Sequence, residues 1–178
     1  MSASSRTGIG WDSHRLAEGR PLVLGGVTLE HHSGLEGHSD ADVLTHAVVD
    51  ALLGAACLGD IGEHFPDTDP AFAGADSLAL LREAVTRCAA AGWAPVHADT
   101  TLVMERPRVA PHKAAMAANL AAALGVEASA VNVKASTGER IGFVGREEGV
   151  AALATVTVVL ASEGEPGGVL PGSPYGSV

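Results

Sequence analysis

The segment from Asp42 to Cys57 constrains the fold most, because its composition and spacing are those of a largely apolar helix. Small and apolar residues recur in pairs close to the helical repeat, at Val43/Leu44, Ala47/Val48, Ala51/Leu52 and Ala55/Ala56. The one polar stripe of this helix consists of Asp42, His46 and Asp50, spaced i, i+4 and i+8. Because the chain is 47% hydrophobic but only 3% aromatic, its core must be built from Ala, Val and Leu.

Strand and helix signals alternate on both sides of this helix. Strands are predicted at 7–14, 97–105, 130–136 and 149–161, and Gly25-Gly26 predicts the two-residue turn of a hairpin. Further helices are predicted at about 76–91 and from Pro111 to just before Gly125, and residues 58–77 form a long ordered loop. This order predicts an α+β fold, a single domain with a mixed sheet and helices packed on one face.

The length of 178 residues suits one domain. We expect a flexible N-terminus at 1–6, the domain at 7–161, and a disordered Gly/Pro-rich tail at 162–178. Cys57 and Cys88 lie in predicted helical stretches without paired spacing, so both are expected to be buried thiols. The chain shows neither a secretory signal nor an apolar run of the roughly 20 residues that span a bilayer, so a soluble cytoplasmic protein is expected.

The charge balance limits the classes of partner. Eleven basic residues face 21 acidic ones, and the formal net charge is −10. Such a surface argues against nucleic acid or an anionic membrane as the main partner. An anionic substrate would have to be attracted by local groups rather than by the net charge.

The stretch GIGWDSHRL, residues 8–16, places an acid and an imidazole two residues apart in a predicted strand. Residues i and i+2 of a strand share a face, so Asp12 and His14 project together while Trp11 and Ser13 point to the opposite face. With His46 they would form a set of one carboxylate and two imidazoles that leaves one tetrahedral position open, as in catalytic zinc sites. Two solvated polar residues and an unrelated helical histidine remain the alternative.

Three loops carry further polar chemistry. His38 precedes the helix, Ser39 or Asp40 can serve as its N-cap, and free N–H groups at a helix N-terminus favour anions. In the segment 134–149, Glu139 could hold a hard divalent cation that also binds phosphates, or the segment could be a plain polar loop. The stretch GDIGEHFPDTD offers Asp60, Asp67 and Asp69 for gripping a polyol, or it could be a rigid turn with local Asp-to-backbone hydrogen bonds.

Several stretches in one order resemble a known family. HSDADVLTHA followed by LGDIGEHFPDTDPAFAGADS closely resembles the 2-C-methyl-D-erythritol 2,4-cyclodiphosphate synthases of the non-mevalonate isoprenoid pathway. GWDSHRL, MERPRVAPH and NVKASTGERIGFVGREEG are similar to the same family, and the resemblance covers roughly residues 7–161. It implies a homotrimer with active sites at subunit interfaces. It also implies conversion of 4-diphosphocytidyl-2-C-methyl-D-erythritol 2-phosphate into the 2,4-cyclodiphosphate with release of CMP.

The resemblance also assigns roles to residues by position. It implies Zn²⁺, or another divalent transition metal, on Asp12, His14 and His46, and Mg²⁺ or Mn²⁺ on Glu139 together with substrate phosphates. It places stabilisation of the phosphoryl-transfer transition state on His38 and Thr137. The substrate contacts that it implies around the metals and the methylerythritol are Asp12, His14, His38, Ser39, Asp60, Ile61, Gly62, Phe65, Pro66, Asp67, Thr68 and Asp69. Those that it implies around the cytidine and the phosphates are Met104, Glu105, Arg106, Pro107, Arg108, Val109, Ala110, Ser136, Thr137, Gly138, Glu139, Phe143 and Arg146.

Two other classes of function remain open from the residues alone. A metal-dependent phosphohydrolase would use the open zinc position to activate water. A non-enzymatic metal-binding or interaction module would use the same ligands for stability or assembly. The products formed from the cytidine diphospho-substrate, and the effect of replacing His46, separate these readings.

Overall fold

The computed structural model describes residues 4–161, which build one five-stranded sheet, a separate hairpin and a layer of helices. The strands are β1 (Ser5–Glu18), β2 (Leu22–Leu24), β3 (Val27–Leu29), β4 (Ser33–Leu35), β5 (Trp93–Val103), β6 (Val131–Ser136) and β7 (Gly149–Leu160). The α-helices are α1 (Val43–Ala56), α2 (Ile61–His64), α3 (Ser77–Ala90), α4 (Lys113–Leu124) and α5 (Gly142–Gly145). Short 3-10 turns lie at Pro70–Phe72, Ala110–His112 and Ala128–Ala130.

The main sheet is mixed, as predicted. Its strand order is β4-β1-β7-β5-β6, in which β5 and β6 run parallel and the other neighbours run antiparallel. Strand β1 pairs with β7 over most of its length, with Trp11 opposite Leu153. The parallel pair brings Val103 opposite Ser136, so the loops that follow β5 and β6 start at the same edge.

Within residues 4–161, helices cover one face of this sheet, as predicted. Helix α1 packs on β1 and β7, while α3 and α4 extend the helical layer toward β5 and β6. The core between the layers consists mainly of Leu, Val and Ala side chains, as the composition requires. On the opposite face of β1 and β7, Ile9 is 71% exposed and Trp11 is 52% exposed.

Several sequence-based expectations hold. Strands β2 and β3 form the predicted hairpin, and both turn glycines have positive φ angles, as a two-residue hairpin turn demands. Helices α1 and α3 lie within about one residue of their predicted bounds, and α4 ends at Leu124, just before its C-cap Gly125 with φ 71°. The expected ordered loop at 58–77 contains the short helix α2 and a 3-10 turn.

Three expectations need correction, and one short strand was missed. Strand β1 begins at Ser5 and runs to Glu18, so residues 5 and 6 of the predicted flexible N-terminus belong to a strand. The short strand β4 was not predicted. Cys57 is exposed rather than buried and lies at the C-cap of α1, beyond the last residue of the helix, whereas Cys88 is buried as expected. The cap of α1 is Asp42 rather than Ser39 or Asp40.

The ends of the chain fall outside this description. Residues 1–3 and the predicted tail, 162–178, lie beyond the described residues. Within residues 4–161, no helix combines the length and apolar character needed to cross a membrane.

Candidate active site

Two glycines bring helix α1 directly against strand β1. A Cβ atom on Gly8 would lie 2.1 Å from the carbonyl oxygen of Ala51, and one on Gly10 would lie 1.9 Å from that of Ala47. Only glycine therefore allows this close approach of helix and strand. Since His46 adjoins Ala47, the contact places its imidazole next to the side chains that follow Gly10 in β1.

Asp12, His14 and His46 meet at this junction, as the sequence predicted. Asp12 Oδ2 lies 3.0 Å from His14 Nε2 and 3.0 Å from His46 Nδ1, and the two imidazole nitrogens lie 3.2 Å apart. Within residues 4–161 these three form the only group of at least three potential metal-ligating side chains, with their ligand atoms within 4.8 Å of one another. Trp11, between Asp12 and the glycine contact, points to the exposed face of the sheet, as expected.

The hydrogen bonds around the two imidazoles fit a bound metal ion. His14 Nδ1 lies 2.7 Å from the backbone oxygen of Glu36, which can only accept, so Nδ1 carries a proton and Nε2, which faces Asp12, is the nitrogen that could bind a metal ion. His46 turns Nδ1 to the same place and Nε2 toward Ser77 Oγ, at 2.8 Å. A carboxylate and two imidazole nitrogens that converge in this way are a ligand set suited to Zn²⁺.

Electrostatics at the cluster follow from the same contacts. Burial raises the pKa of Asp12, but hydrogen bonds from His14 and His46 outweigh it and hold that pKa well below its usual range. Burial lowers the pKa of His14, but the hydrogen bond and charge of Asp12 outweigh it and raise that pKa above its ordinary value. The site therefore favours an ionised carboxylate with positive charge beside it.

The cluster forms part of the wall of a cleft of about 460 Å³. Many of the expected substrate residues line this cleft, namely Asp12, His14, His38, Ser39, Ile61, Gly62, Phe65, Pro66 and Asp67. The sequence reasoning missed four further lining residues, Glu36, Gly37, Phe72 and Leu80. Phe72 lies within the stretch LGDIGEHFPDTDPAFAGADS that carries the family resemblance. Glu36 instead contacts His14 through its backbone oxygen, for which a sequence carries no signal.

The acidic loop makes local turn contacts, as one interpretation predicted, and also contributes to the cleft. Asp60 caps α2 by accepting from Glu63 N–H, and Asp69 accepts from Ala71 N–H at 2.9 Å, so these two carboxylates make local turn contacts. Asp67 instead lines the cleft. The loop is therefore a rigid turn that presents one of its acids to the cleft.

A side chain of α3 supports the apolar wall of the cleft from behind. The guanidinium of Arg87 lies 5.0 Å from the centre of the Phe65 ring and 2.7 Å from His64 Nδ1. The Phe65 ring also packs edge-on against Phe72. Phe65 is consequently held in place on two sides, and no sequence pattern indicated that Arg87 takes part.

The second half of the expected site lies elsewhere in the fold. The Met104–Ala110 loop follows β5 and the Ser136–Glu139 loop follows β6, and Glu105 Oε1 accepts from the backbone N–H of Arg140 at 3.1 Å. Thr137 Oγ1 donates to Glu139 Oε1 at 2.5 Å. Among the described residues, neither loop contributes to the lining of the 460 Å³ cleft. The chain thus brings together the proposed zinc ligands but not Glu139.

Phe143 and Arg146 lie near a smaller depression next to His14. Phe143, Glu148 and Ser13 are among the residues lining this space of about 220 Å³. Arg146 pairs with Glu148 at 2.8 Å. Ser13, which the sequence reasoning left out of the site, therefore lines this depression together with His14.

Comparisons with known proteins agree with this layout. The model of the YgbB family matches residues 5–159. A relative from Bordetella pertussis, named 2-C-methyl-D-erythritol 2,4-cyclodiphosphate synthase, is 59% identical over 164 residues, which cover 92% of this chain and 100% of the relative.

Solved structures share the fold. A 2C-methyl-D-erythritol-2,4-cyclodiphosphate synthase described as the CDP-bound form aligns with a TM-score of 0.79 at 39% identity, covering 86% of this chain and 99% of that one. The bifunctional IspDF of Campylobacter jejuni aligns with a TM-score of 0.86 at 43% identity. That alignment covers 89% of this chain but only 43% of the bifunctional one.

Proposed function

The chain belongs to the YgbB family, and from this premise we propose that it is a cyclodiphosphate synthase of the non-mevalonate isoprenoid pathway. It converts 4-diphosphocytidyl-2-C-methyl-D-erythritol 2-phosphate into 2-C-methyl-D-erythritol 2,4-cyclodiphosphate and CMP. The observation that carries the proposal is the convergence of Asp12, His14 and His46 on one wall of the cleft that the HSD and GDIGEHFPD segments also line.

The reaction forms one phosphorus–oxygen bond and breaks another. An oxygen of the substrate's 2-phosphate attacks the β-phosphorus, the bond from that phosphorus to the bridging oxygen breaks, and CMP leaves with the bridging oxygen. No water is consumed, so the enzyme is a phosphorus–oxygen lyase rather than a hydrolase. Since the nucleophile belongs to the substrate, the protein needs no nucleophilic side chain, and catalysis rests on positioning and electrostatics.

The proposed metal centre consists of Asp12, His14 and His46. A Zn²⁺ ion or similar divalent cation held there would act as a Lewis acid toward a phosphate oxygen. Such local positive charge matters here because the chain as a whole carries a formal net charge of −10. The hydrogen bonds of His14 Nδ1 to Glu36 and of His46 Nε2 to Ser77 leave the other nitrogen of each ring, which faces Asp12, as the one that would bind such an ion.

The rest of the cleft orients the polyol and the phosphates. We assign Asp67 and the backbone around Gly62 to the methylerythritol hydroxyls, and the Phe65 ring to its apolar side. His38 lines the cleft, and its Nε2 lies 3.1 Å from the backbone oxygen of Asp69, a contact that holds the ring; we assign His38 to the substrate phosphates. These fixed groups fold the substrate back so that the 2-phosphate reaches the β-phosphorus.

A second cation is proposed at Glu139. Thr137 donates a hydrogen bond to this carboxylate and so fixes its direction. Glu139 belongs to no cluster of ligating side chains within residues 4–161. We therefore propose that Mg²⁺ or Mn²⁺ binds there with oxygens of the substrate phosphates and water as its other ligands, as Mg²⁺ commonly does. The neighbouring Met104–Ala110 loop is assigned to the cytidine.

The two halves of the site would meet if each came from a different copy of the chain. We propose a homotrimer with active sites at the subunit interfaces. The uncovered sheet face, on which Ile9, Trp11 and Leu153 are exposed, supports contacts between copies. Co-expression of His46→Ala chains with Glu139→Ala chains tests this, because mixed trimers regain some sites with both wild-type residues. No regained activity in a mixed assembly would contradict shared sites.

Product analysis tests the function. Incubation with the cytidine diphospho-substrate is expected to yield the cyclic diphosphate and CMP in equal amounts. A linear phosphorylated polyol would identify a phosphohydrolase instead and overturn the proposal.

The His46→Ala variant is a second test, and we expect it to lose turnover while it keeps the assembly. Normal turnover in that variant would remove His46 from the metal centre.

A cytoplasmic location stays a prediction from the sequence.

A further inference from the structure

A buried chain of hydrogen bonds runs behind His46, on the side away from Asp12. Ser77, the first residue of α3, is fully buried, and its Oγ lies 2.8 Å from His46 Nε2. The same hydroxyl makes a very short hydrogen bond to Asp40 Oδ1. Asp40 precedes α1, so the chain Asp40–Ser77–His46 links a loop, helix α3 and helix α1.

The direction of each hydrogen bond in this chain is determined at Asp40. Its carboxylate also accepts from the backbone N–H of Ser77 at 3.1 Å and from that of Asp42 at 3.2 Å. A carboxylate has no proton to give, so the Ser77 hydroxyl must donate to it. That hydroxyl has one proton, so toward His46 it can only accept.

His46 must therefore carry a proton on Nε2, which leaves Nδ1, the nitrogen that faces Asp12 and His14, as the one that can bind a metal ion through its lone pair. Ser39 Oγ, 3.1 Å from the same Nε2, offers a second and longer contact. The opposite tautomer would place an N–H where a metal ligand is needed. It would also leave the Ser77 oxygen facing a lone pair.

We propose that Ser77 and Asp40 are positioning residues that select the metal-binding tautomer of His46. The inference rests on the metal centre proposed above and deepens it. Ser77 does not line the cleft, so its effect reaches the substrate only through His46. Removing a hydrogen-bond partner behind a metal-bound histidine typically weakens metal binding by about 10–100-fold.

Zinc affinity of the full-length chain tests the proposal without reliance on activity. Zn²⁺ is titrated in competition with a chromophoric chelator, for the unchanged chain and for Ser77→Ala. We expect Ser77→Ala to bind Zn²⁺ about 10-fold more weakly or worse, because Ser39 replaces the lost acceptor only in part. The matched control is Ser129→Ala, an exposed serine remote from the cleft, which should leave the affinity within twofold.

Asp40→Asn provides a second variant should Ser77→Ala fail to fold. Every partner of Asp40 named above is a donor, so the amide NH₂ of asparagine would meet a donor and could turn the Ser77 hydroxyl toward His46. Weaker zinc binding is expected here too. Circular dichroism and thermal unfolding in excess chelator establish that each variant is folded.

The outcomes are distinguishable. A lower melting temperature with unchanged zinc affinity in a folded variant would make Ser77 merely structural and overturn the positioning role. Failure of the unchanged chain to bind Zn²⁺ would overturn the proposed metal centre itself, and the positioning role with it. Weakened binding in Ser77→Ala or Asp40→Asn, with Ser129→Ala unaffected, supports the proposal.

Discussion

Replacing Gly10 by alanine tests whether the close contact between α1 and β1 builds the metal centre. The added Cβ would lie 1.9 Å from the Ala47 carbonyl oxygen, and real Cβ atoms essentially never approach another atom closer than 3.0 Å. Helix and strand must therefore separate by about 1 Å. Overpacking of this kind lowers the free energy of unfolding by about 1–3 kcal/mol.

The same displacement acts on zinc affinity. His46 Nδ1 now lies 3.0 Å from Asp12 Oδ2, a separation that suits two ligands sharing one ion at about 2.0–2.2 Å each. A shift of about 1 Å would leave His46 too far away to share that ion, so zinc binding should weaken together with stability.

Urea unfolding and the zinc competition titration measure both effects of Gly10→Ala. Gly54→Ala is the matched control, because Gly54 also lies on α1 but a Cβ there would meet no atom within 4 Å. That control should raise the free energy of unfolding by about 0.5–1 kcal/mol and leave zinc affinity unchanged. Gly10→Ala with unaltered stability and unaltered zinc affinity would refute the role of the helix–strand contact.

Three further predictions concern other parts of the site. Asp42→Ala should lower the free energy of unfolding, measured by urea titration, by about 2–4 kcal/mol. The reason is that the fully buried carboxylate caps α1 and accepts hydrogen bonds from the N–H groups of Gly25 and Gly26. A loss of less than about 0.5 kcal/mol would contradict this. Glu139→Gln should raise the Mg²⁺ or Mn²⁺ concentration needed for half-maximal turnover, and an unchanged requirement would remove Glu139 from the site. Chelator treatment should abolish turnover and lower the melting temperature, and adding Zn²⁺ should restore both. His46→Ala should show no such recovery. A Zn²⁺ concentration 100 times the dissociation constant adds about 2.7 kcal/mol to the free energy of unfolding.

Local periodicity was enough to nominate Asp12, His14 and His46 as a candidate ligand set, while the family resemblance assigned them the role. The alternation of β1 put Asp12 and His14 on one face, and the repeat of α1 put His46 on its polar stripe. Both patterns depend only on neighbours along the chain, which is why they can be read without a structure.

The cap of α1 could not be chosen in the same way. Ser39, Asp40 and Asp42 can all accept hydrogen bonds at a helix start, and local chemistry does not rank them. The hairpin turn settles the matter, because the N–H groups of Gly25 and Gly26 need an acceptor and Asp42 supplies it. Asp40 is thereby left free to accept from Ser77.

The sequence by itself determined the three long helices, the long strands of the sheet, the hairpin turn and the residue types of a zinc site, because each of these follows from spacing within a few residues. Tertiary structure alone decided that Gly8 and Gly10 let α1 rest on β1, that Asp42 is buried, and that Ser77 lies behind His46. The contacts of Gly8, Gly10 and Ser77 join residues about 30 or more positions apart in the sequence. Asp42 lies only 17 and 16 positions from Gly25 and Gly26, whose N–H groups donate hydrogen bonds to it. Packing of whole layers, rather than local preference, brings such residues together.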